Sequence, residues 1–250
     1  MHAVIIVYTK NREDLLMLYE FFFENNYYIS IHEVSVIGKF NRYNPKANLL
    51  KRCNDGWRST IDMPKGRQDY KFLINGILRL NDYKALQYQK NKEGEMWSVV
   101  DVGRDKAKSY METERYIELY NHALTGRILD DITGVNNRSY FCADVDSYVY
   151  TGYSFGNIAG IHTVTAIWVK PDLSMHHISE HVIEVNEGDI NNATDVWFWL
   201  NLKEKQRDIS KGIWQVKLFV NGEFFLEDRF HYGTGYLYSI SNKRIELKYM

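Results

Sequence analysis

Three histidines lie close together in the sequence and belong to a residue type that binds metal ions. His176, His177 and His181 directly precede a β-branched run that begins at Val182 and Ile183. On a helix, His177 and His181 would share a face, as zinc-binding histidine pairs do. The β-branched run favours a strand instead, in which these two residues would lie about 13 Å apart, too far to chelate one ion. We therefore predict surface histidines, no metal site and no cofactor.

Paired carboxylates are the second group that could perform chemistry. Asp144 and Asp146 lie two residues apart, and Asp130 and Asp131 are adjacent. A glycosidase needs two carboxyl groups about 5–10 Å apart across a cleft, whereas acid pairs in loops are mostly solvated or capping. The chain has no glycine-rich phosphate loop and no serine nucleophile elbow, and neither of its two cysteines has an obvious activating neighbour. We therefore expect a non-catalytic protein.

Tryptophans in the second half of the chain are candidates for either a core or a binding surface. Trp197 and Trp199 are two residues apart in an apolar run, so they face the same side of a strand. We expect them to fill a β-sheet core together with Trp168 and Trp214. If they faced solvent instead, they would form a patch suited to a ligand or a partner.

Turn signals recur at short intervals and divide the chain into short apolar runs that could position these residues. Asn75-Gly76 and Asn221-Gly222 are each suited to a two-residue hairpin turn. Aromatic residues make up 15% of the chain and favour strands. Short strands separated by turns at intervals of roughly eight to twelve residues are typical of a β-sandwich. The sequence therefore predicts an all-β fold.

The composition changes near the middle of the chain and indicates two modules. We expect two immunoglobulin-like, early-set β-sandwich modules joined by a partly helical connector. The predicted segments are residues 1–102, residues 103–140 for the connector, and residues 141–250. In the last segment the strands are expected at 162–169, 177–185, 196–200, 213–220 and 224–230.

Two stretches are open to more than one interpretation. Residues 4–8 indicate a strand, while residues 12–20 fit either a strand or a helix, and we favour the strand. Within the connector, Ile117, Tyr120 and Leu124 share one helical face. We therefore predict a short helix from Tyr116 to Ile128.

Residues 34–82 contain four short motifs in a fixed order. They are Val34-Ser35-Val36-Ile37-Gly38, Asp55-Gly56-Trp57, Met63-Pro64-Lys65-Gly66 and Tyr70-Lys71-Phe72-Leu73-Ile74-Asn75-Gly76. The series resembles the family forty-eight carbohydrate-binding modules, which are glycogen-binding domains. These occur in the β subunit of AMP-activated protein kinase and before the catalytic barrels of glycogen branching and debranching enzymes. With its flanks, the resemblance covers about residues 15–102.

The resemblance implies a carbohydrate-binding site made of two stacking tryptophans, a lysine and an asparagine. The first tryptophan corresponds to Tyr43, which keeps a smaller ring, and the lysine corresponds to Lys71. The second tryptophan corresponds to Leu78, which cannot stack, and the asparagine falls near Ser98. Trp97 beside it could compensate, although strand alternation points it to the face opposite Ser98. If sugar stacking resembles base stacking, these losses cost about one or two decades of affinity.

Charge and hydropathy exclude several classes of partner. The formal net charge is −1, from 31 basic and 32 acidic residues, without a basic tract that could neutralise a phosphate backbone. Nucleic acid is therefore not an expected partner. No segment approaches the roughly 20 apolar residues that span a bilayer, and the first residues do not form a signal peptide. We expect a soluble, cytoplasmic protein that does not bind membranes.

Two functions remain open. The leading hypothesis is a carbohydrate-binding protein that recognises a glycogen-like or starch-like α-glucan oligosaccharide through its first module. The alternative is a scaffold that binds a protein partner and keeps the fold without the sugar. An enzyme with a site at the module junction is the weakest of the hypotheses.

Overall fold

The chain folds almost entirely into β-strands. The computed structural model describes residues 16–24, 29–85, 87–103, 117–128, 130, 132, 135, 137–189, 192–203 and 209–235. Within these residues, helical turns are short, as in the 3₁₀ turns Lys39–Asn41 and Glu187–Asp189. The all-β class predicted from the sequence is confirmed.

Two sheets form the first module. Its strands are β1 (Leu16–Glu24), β2 (Val34–Gly38), β3 (Lys51–Cys53), β4 (Gly56–Pro64), β5 (Gly66–Ile74), β6 (Leu78–Leu80), β7 (Gln87–Lys90) and β8 (Met96–Val102). The first sheet has the order β1-β4-β3, and the second has the order β2-β5-β8-β7, with β6 paired to β5. All of these strand pairs are antiparallel.

The first strand shows why the two sheets pack face to face. Residues alternate between buried and more exposed along β1, and Tyr19, Phe21 and Phe23 point into the core. Phe21 meets Phe72 of the opposite sheet edge to face, with ring centroids 6.5 Å apart. The segment open to a strand or a helix is therefore a strand from Leu16 onward. The strand predicted at residues 4–8 lies outside the described residues.

The second module contains two further sheets. Its strands are β9 (Glu118–Thr125), β10 (Tyr140–Cys142), β11 (Tyr148–Gly156), β12 (Gly160–Val169), β13 (Met175–Val185), β14 (Thr194–Asn201), β15 (Gly212–Val220) and β16 (Glu223–Gly233). The third sheet has the order β14-β11-β9, and the fourth has the order β10-β16-β15-β12-β13. The strands predicted from 162 to 230 are present. Strand β13 carries the histidine run, as predicted.

The helix predicted from Tyr116 to Ile128 is wrong, because Glu118–Thr125 forms strand β9. This strand pairs antiparallel with β11, and the pairing register shifts between Ser154 and Phe155. A register shift breaks the two-residue alternation of a strand. Tyr120 is the residue that the pairing skips, so Leu119 and Leu124 both pack in the core while Tyr120 is exposed. Since β9 is part of the third sheet, the second module includes part of the predicted connector.

Only part of the predicted tryptophan core is present. Trp168 and Trp214 are fully buried between the third and fourth sheets. On β14, by contrast, Val196, Phe198 and Leu200 take the inward positions. Trp197 and Trp199 therefore lie on the outward face of the third sheet, against expectation.

The two Asn-Gly turns differ in length by one residue. Both adopt left-handed backbone angles, with φ of 52° and 70° at Asn75 and Gly76, and 53° and 92° at Asn221 and Gly222. The second turn closes a two-residue hairpin, because Val220 pairs with Glu223. The first turn contains an extra residue, since Ile74 pairs with Leu78 rather than with the residue before it. The predicted two-residue hairpin is therefore wrong at the first site.

The modules pack directly against each other. Ile167, Val169 and Phe219 of the second module belong to the hydrophobic cluster of the first. The side-chain amide of Asn81 donates a hydrogen bond to the Thr163 hydroxyl across the junction, at 3.3 Å. This contact joins the residue after β6 to strand β12.

No group of three or more His, Cys, Asp or Glu within the described residues could hold a metal ion. In the same part of the chain, no helix is long and apolar enough to cross a membrane.

Candidate functional site

Lys71 is the polar residue that the resemblance places at the centre of a sugar site. It lies on β5, where Tyr70 pairs with Ser98 of β8. The next residues on the two strands, Lys71 and Trp97, therefore share the opposite face. The Lys71 ammonium lies 5.4 Å from the centre of the Trp97 ring.

The Lys71 amine is covered by the second module. Its side chain is 1% exposed, and Nζ lies 3.4 Å from Oε1 of Glu180 on β13. Lysine is rarely buried this completely unless it is paired. The amine is therefore occupied by an ion pair between the modules and is not open to solvent.

The position of Glu180 between the modules changes the pKa of its carboxyl group. Burial raises the pKa of the Glu180 carboxyl above its usual range. The attraction of Lys71 lowers that pKa but offsets only part of the rise. The ion pair is therefore a contact in which desolvation opposes the charge attraction.

Tyr43 lies on the loop that follows β2 and is the exposed member of the site. Its side chain is 51% exposed, and its ring meets Trp97 edge to face, with centroids 5.4 Å apart. Arg42 and Tyr43 both have left-handed backbone angles, with φ of 55° and 58°. Hydrogen bonds hold this loop, since the Tyr43 amide donates to the Gly38 carbonyl and Asn41 accepts from the Gly38 amide. The strained backbone therefore fixes where the tyrosine ring is presented.

Leu78 and Ser98 do not lie with Tyr43, Lys71 and Trp97. The extra residue in the Asn75-Gly76 turn places Leu78 opposite Ile74, so Leu78 points into the core and is fully buried. Ser98 is also fully buried, where its hydroxyl donates to Asn81 Oδ1 and accepts from the Asp82 amide. The structure therefore brings together Tyr43, Lys71 and Trp97 and turns the other two residues inward.

Three further residues complete the surroundings of Trp97 and were missed from the sequence. The indole Nε1 of Trp97 donates to Glu95 Oε2 at 3.2 Å, and Arg79 lies 3.9 Å from the same carboxylate group. The turn register places Arg79 opposite Leu73, on the face of Lys71. Glu180, the third residue, is 109 positions from Lys71 and had no local signal. We call the exposed part of this region, Tyr43 with Arg79 and Glu95, the tyrosine rim.

Of the carboxylates considered for catalysis, Asp146 is bound by neighbouring protein groups. Asp146 accepts hydrogen bonds from Arg138 at 2.8 and 3.0 Å and from the Cys142 amide at 2.7 Å. Burial opposes its ionisation, but these bonds hold the pKa of Asp146 below its usual value. Asp144 lies in the same turn, and Asp131 lies outside the described residues.

The amino-acid sequence matches one family model. Residues 26–108 match the glycogen recognition site of AMP-activated protein kinase. The first module is similar to that recognition site. The resemblance predicted from the order of the four motifs is thus confirmed, over less than half of the chain. No curated protein shows a significant match.

Solved structures show only distant similarity. An immunoglobulin-like protein from Pseudomonas aeruginosa aligns over 48% of this chain and 98% of its own, at 13% identity and a TM-score of 0.34. A maltogenic amylase from S. marinus aligns over 90% of this chain and 28% of its own, at 11% identity and a TM-score of 0.34. PorU from Porphyromonas gingivalis aligns over 94% of this chain and 20% of its own, at 9% identity and a TM-score of 0.31. These similarities carry no argument about function.

Proposed function

We propose that this chain is a non-catalytic carbohydrate-binding protein whose first module recognises an α-glucan. The observation that carries the proposal is the match of residues 26–108 to a glycogen recognition site. An exposed aromatic ring, Tyr43, stands where the resemblance expects a stacking residue. An aromatic face suits a sugar because the axial C–H groups of the sugar form an apolar patch ringed by hydroxyls.

The tyrosine rim supplies both parts of such a contact. The Tyr43 ring provides the stacking surface, and Arg79 and Glu95, which are connected to it through Trp97, provide hydrogen-bond donors and acceptors for hydroxyl groups. Lys71 makes no direct contact with the sugar in this arrangement, because its buried amine is paired with Glu180. One exposed ring in place of two predicts weak binding, about one or two decades below a site with both rings.

The carboxylates near the rim fit binding rather than acid–base catalysis. Glu95 accepts from Trp97 and lies beside Arg79, and Glu180 is paired with Lys71. Both carboxyl groups are engaged by protein side chains, and the charge of Glu95 contributes to the raised pKa of Glu180. This arrangement supports a protein that holds a glycan without cleaving it.

A second candidate function has its own supporting observation. Lys71, Leu78 and Ser98 are all buried, so three of the positions named by the resemblance serve packing. A protein that keeps the fold as a scaffold for a protein partner would show this pattern. The two functions differ in whether the tyrosine rim binds sugar.

The test is a calorimetric titration of the protein with maltoheptaose and, separately, with β-cyclodextrin. We expect Tyr43→Ala to weaken binding about tenfold or more, because it removes the stacking ring. Tyr83→Ala is the matched control, since Tyr83 is an exposed tyrosine of the same module. Lys71→Ala is unsuitable as a probe because it leaves Glu180 half-buried without its partner. Equal affinities for the wild type and Tyr43→Ala would contradict the proposed site.

A further inference from the structure

The outward face of the third sheet carries a second group of aromatic rings, away from the tyrosine rim. On this face Trp199 lies opposite Tyr150, and the next outward pair towards the end of the strands is Asn201 and Tyr148. The rings of Tyr148 and Tyr150 are 5.5 Å apart. Trp197 lies on the same face, two residues before Trp199. With Tyr120 of β9, these residues form what we call the aromatic platform.

Two glycines allow rings of the platform to lie close against the sheet. A Cβ atom at Gly152 would lie 2.7 Å from atoms of the Trp197 ring, and a Cβ at Gly156 would lie 1.8 Å from the Tyr120 ring. The rings therefore occupy the space that side chains at these positions would fill. This is a close approach that only glycine permits. Trp197 and Tyr120 therefore lie low on the outward face of the sheet.

The platform is open to solvent. Trp199 is 55% exposed and Tyr120 is 46% exposed, while the alternate residues of β14 are buried in the core. Neither residue is covered by the first module, which packs on the fourth sheet through Ile167 and Phe219. Clustered exposed aromatic residues mark binding surfaces more often than isolated ones do.

The chemistry around the rings distinguishes between partners. Outward positions of β11 and β14 hold aromatic, glycine and small polar residues, among them Ser154, Asp195 and Asn201. No Lys or Arg occupies these outward positions, so the surface does not complement a phosphate backbone. No large aliphatic residue occupies them either, and they include Asp195, whereas charged residues are depleted at the buried centre of a protein interface. Aromatic rings with hydroxyl, amide and carboxylate neighbours complement a neutral sugar chain, because its hydroxyl groups can hydrogen-bond to these neighbours.

We propose that the aromatic platform is a second glycan-binding surface, which stacks the sugar rings of a neutral polysaccharide on Trp199 and its neighbours. Trp197 and Trp199 are about 6.7 Å apart along the strand, so the two indoles can contact neighbouring units of one chain. The proposal rests on the carbohydrate-binding function but assigns it an additional surface on the other module. Two weak surfaces on one molecule favour a polymer over an oligosaccharide, because the second contact becomes intramolecular.

The experiment is electrophoresis of the folded protein through native gels that contain glycogen or, in parallel, a soluble β-glucan. We expect glycogen, the β-glucan or both to retard the wild type. A Trp199→Ala, Tyr150→Ala variant should lose about tenfold or more in affinity for the retarding polymer. Trp199→Phe keeps a ring and should retain most of the retardation. Ile213→Ala is the control, because Ile213 is an exposed apolar residue elsewhere on the second module.

The outcomes separate this inference from the proposed function. A loss of about tenfold or more in the platform variant supports the platform, and Tyr43→Ala is also expected to weaken retardation by glycogen because it removes the other contact. Retardation that is lost in Tyr43→Ala and unchanged in the platform variant overturns the platform and leaves the proposed function standing. If no polymer retards the wild type, both are overturned. A wild-type dimer that Trp199→Ala converts to a monomer would also overturn the inference, because the face would then be a protein interface.

Discussion

At the scale of single residues, Lys71 shows how a residue that resembles a sugar ligand can serve packing. Its amine is bound to Glu180 and covered by the second module. A direct contact between Lys71 and a sugar would require that ion pair to open. Tyr43 needs no such movement, since half of its side chain is already exposed. The proposed function therefore depends on Tyr43.

Asp146 is the second residue for which the structure shows a role different from the one considered from the sequence. It was a candidate for chemistry because of its spacing from Asp144, but its carboxylate is bound by Arg138 and by the Cys142 amide. Charge-assisted hydrogen bonds of this kind stabilise a folded chain more than neutral ones do. We therefore infer that the Asp146 carboxylate stabilises the turn that follows β10.

A change of pH tests this interpretation. Because the folded-state pKa of Asp146 is lowered, its contribution to the free energy of unfolding is present above the unfolded-state pKa of about 3.9. That contribution is lost as the pH falls through the folded-state pKa. We expect Asp146→Asn to cost about 2 kcal/mol at pH 7 and progressively less below about pH 4.

Urea denaturation between pH 3 and pH 7 measures this difference. Asp144→Asn, in the same turn, is the control for a general effect of removing one negative charge. A cost of Asp146→Asn that stays constant over this pH range would show that the ionised carboxylate is not what stabilises the segment.

At the scale of elements, one extra residue in a turn decides which side chains face outward. A two-residue Asn75-Gly76 turn would place Leu78 opposite Leu73, on the face of Lys71. The observed turn includes Ile77, so Leu78 lies opposite Ile74 and enters the core. A one-residue change in register moves every following side chain to the other face of a strand.

Deletion of Ile77 is expected to destabilise the first module by about 3 kcal/mol or more. The shortened turn would move Leu78 and Leu80 out of the core or force the hairpin to strain. Ile77→Ala keeps the length of the turn and removes only an exposed side chain, so we expect a change within about 0.5 kcal/mol. Urea denaturation of the two variants provides the measurement. Similar losses for both would contradict the assigned register.

The elements also show how far the sequence predicts this fold. Turn signals and apolar runs were enough to place the strands of the second module from residue 162 onward, because glycine and proline bound them clearly. Strand β9 was misread because Ile117, Tyr120 and Leu124 have a helical spacing, although Tyr120 is the exposed extra residue of a register shift. Alternation showed that Trp197 and Trp199 share a face, but both sets of alternating residues on β14 are apolar. The sequence pattern therefore did not decide which set is buried.

At the scale of the whole molecule, the two modules meet backbone to backbone. The second Asn-Gly turn approaches the first module so closely that a Cβ at Gly222 would lie 2.0 Å from the Asn81 carbonyl oxygen. The first Asn-Gly turn has no such neighbour, since nothing lies within 4 Å of a Cβ at Gly76. The two turns thus share a left-handed glycine but differ in their contact with the other module.

Alanine at these two glycines measures the module contact. Gly76→Ala should cost about 1 kcal/mol, from the left-handed backbone alone. Gly222→Ala should cost about 2 kcal/mol more, because the added methyl group also collides with the backbone of Asn81. Thermal denaturation of the two variants under the same conditions gives the comparison. Equal losses would show that the modules do not pack as closely as described.

The candidate site could be predicted only in part from the sequence, because one of its contacts comes from the other module. The motif order correctly grouped Tyr43 and Lys71 in one module, and alternation placed Trp97 on the opposite face from Ser98. The closure of the site depends on Glu180, which belongs to the other module. Contacts between modules arise from docking and leave no local pattern in the sequence. The loss of access to Lys71 therefore became visible only in the structure.

A calorimetric titration of the wild-type protein with maltoheptaose measures whether the first module binds α-glucan. With one exposed ring, we expect saturable binding with a dissociation constant of about 1 mM or tighter. In Tyr43→Ala the binding heat should disappear or the affinity should fall at least tenfold. The absence of saturable binding at millimolar maltoheptaose would contradict α-glucan recognition and would favour the scaffold function.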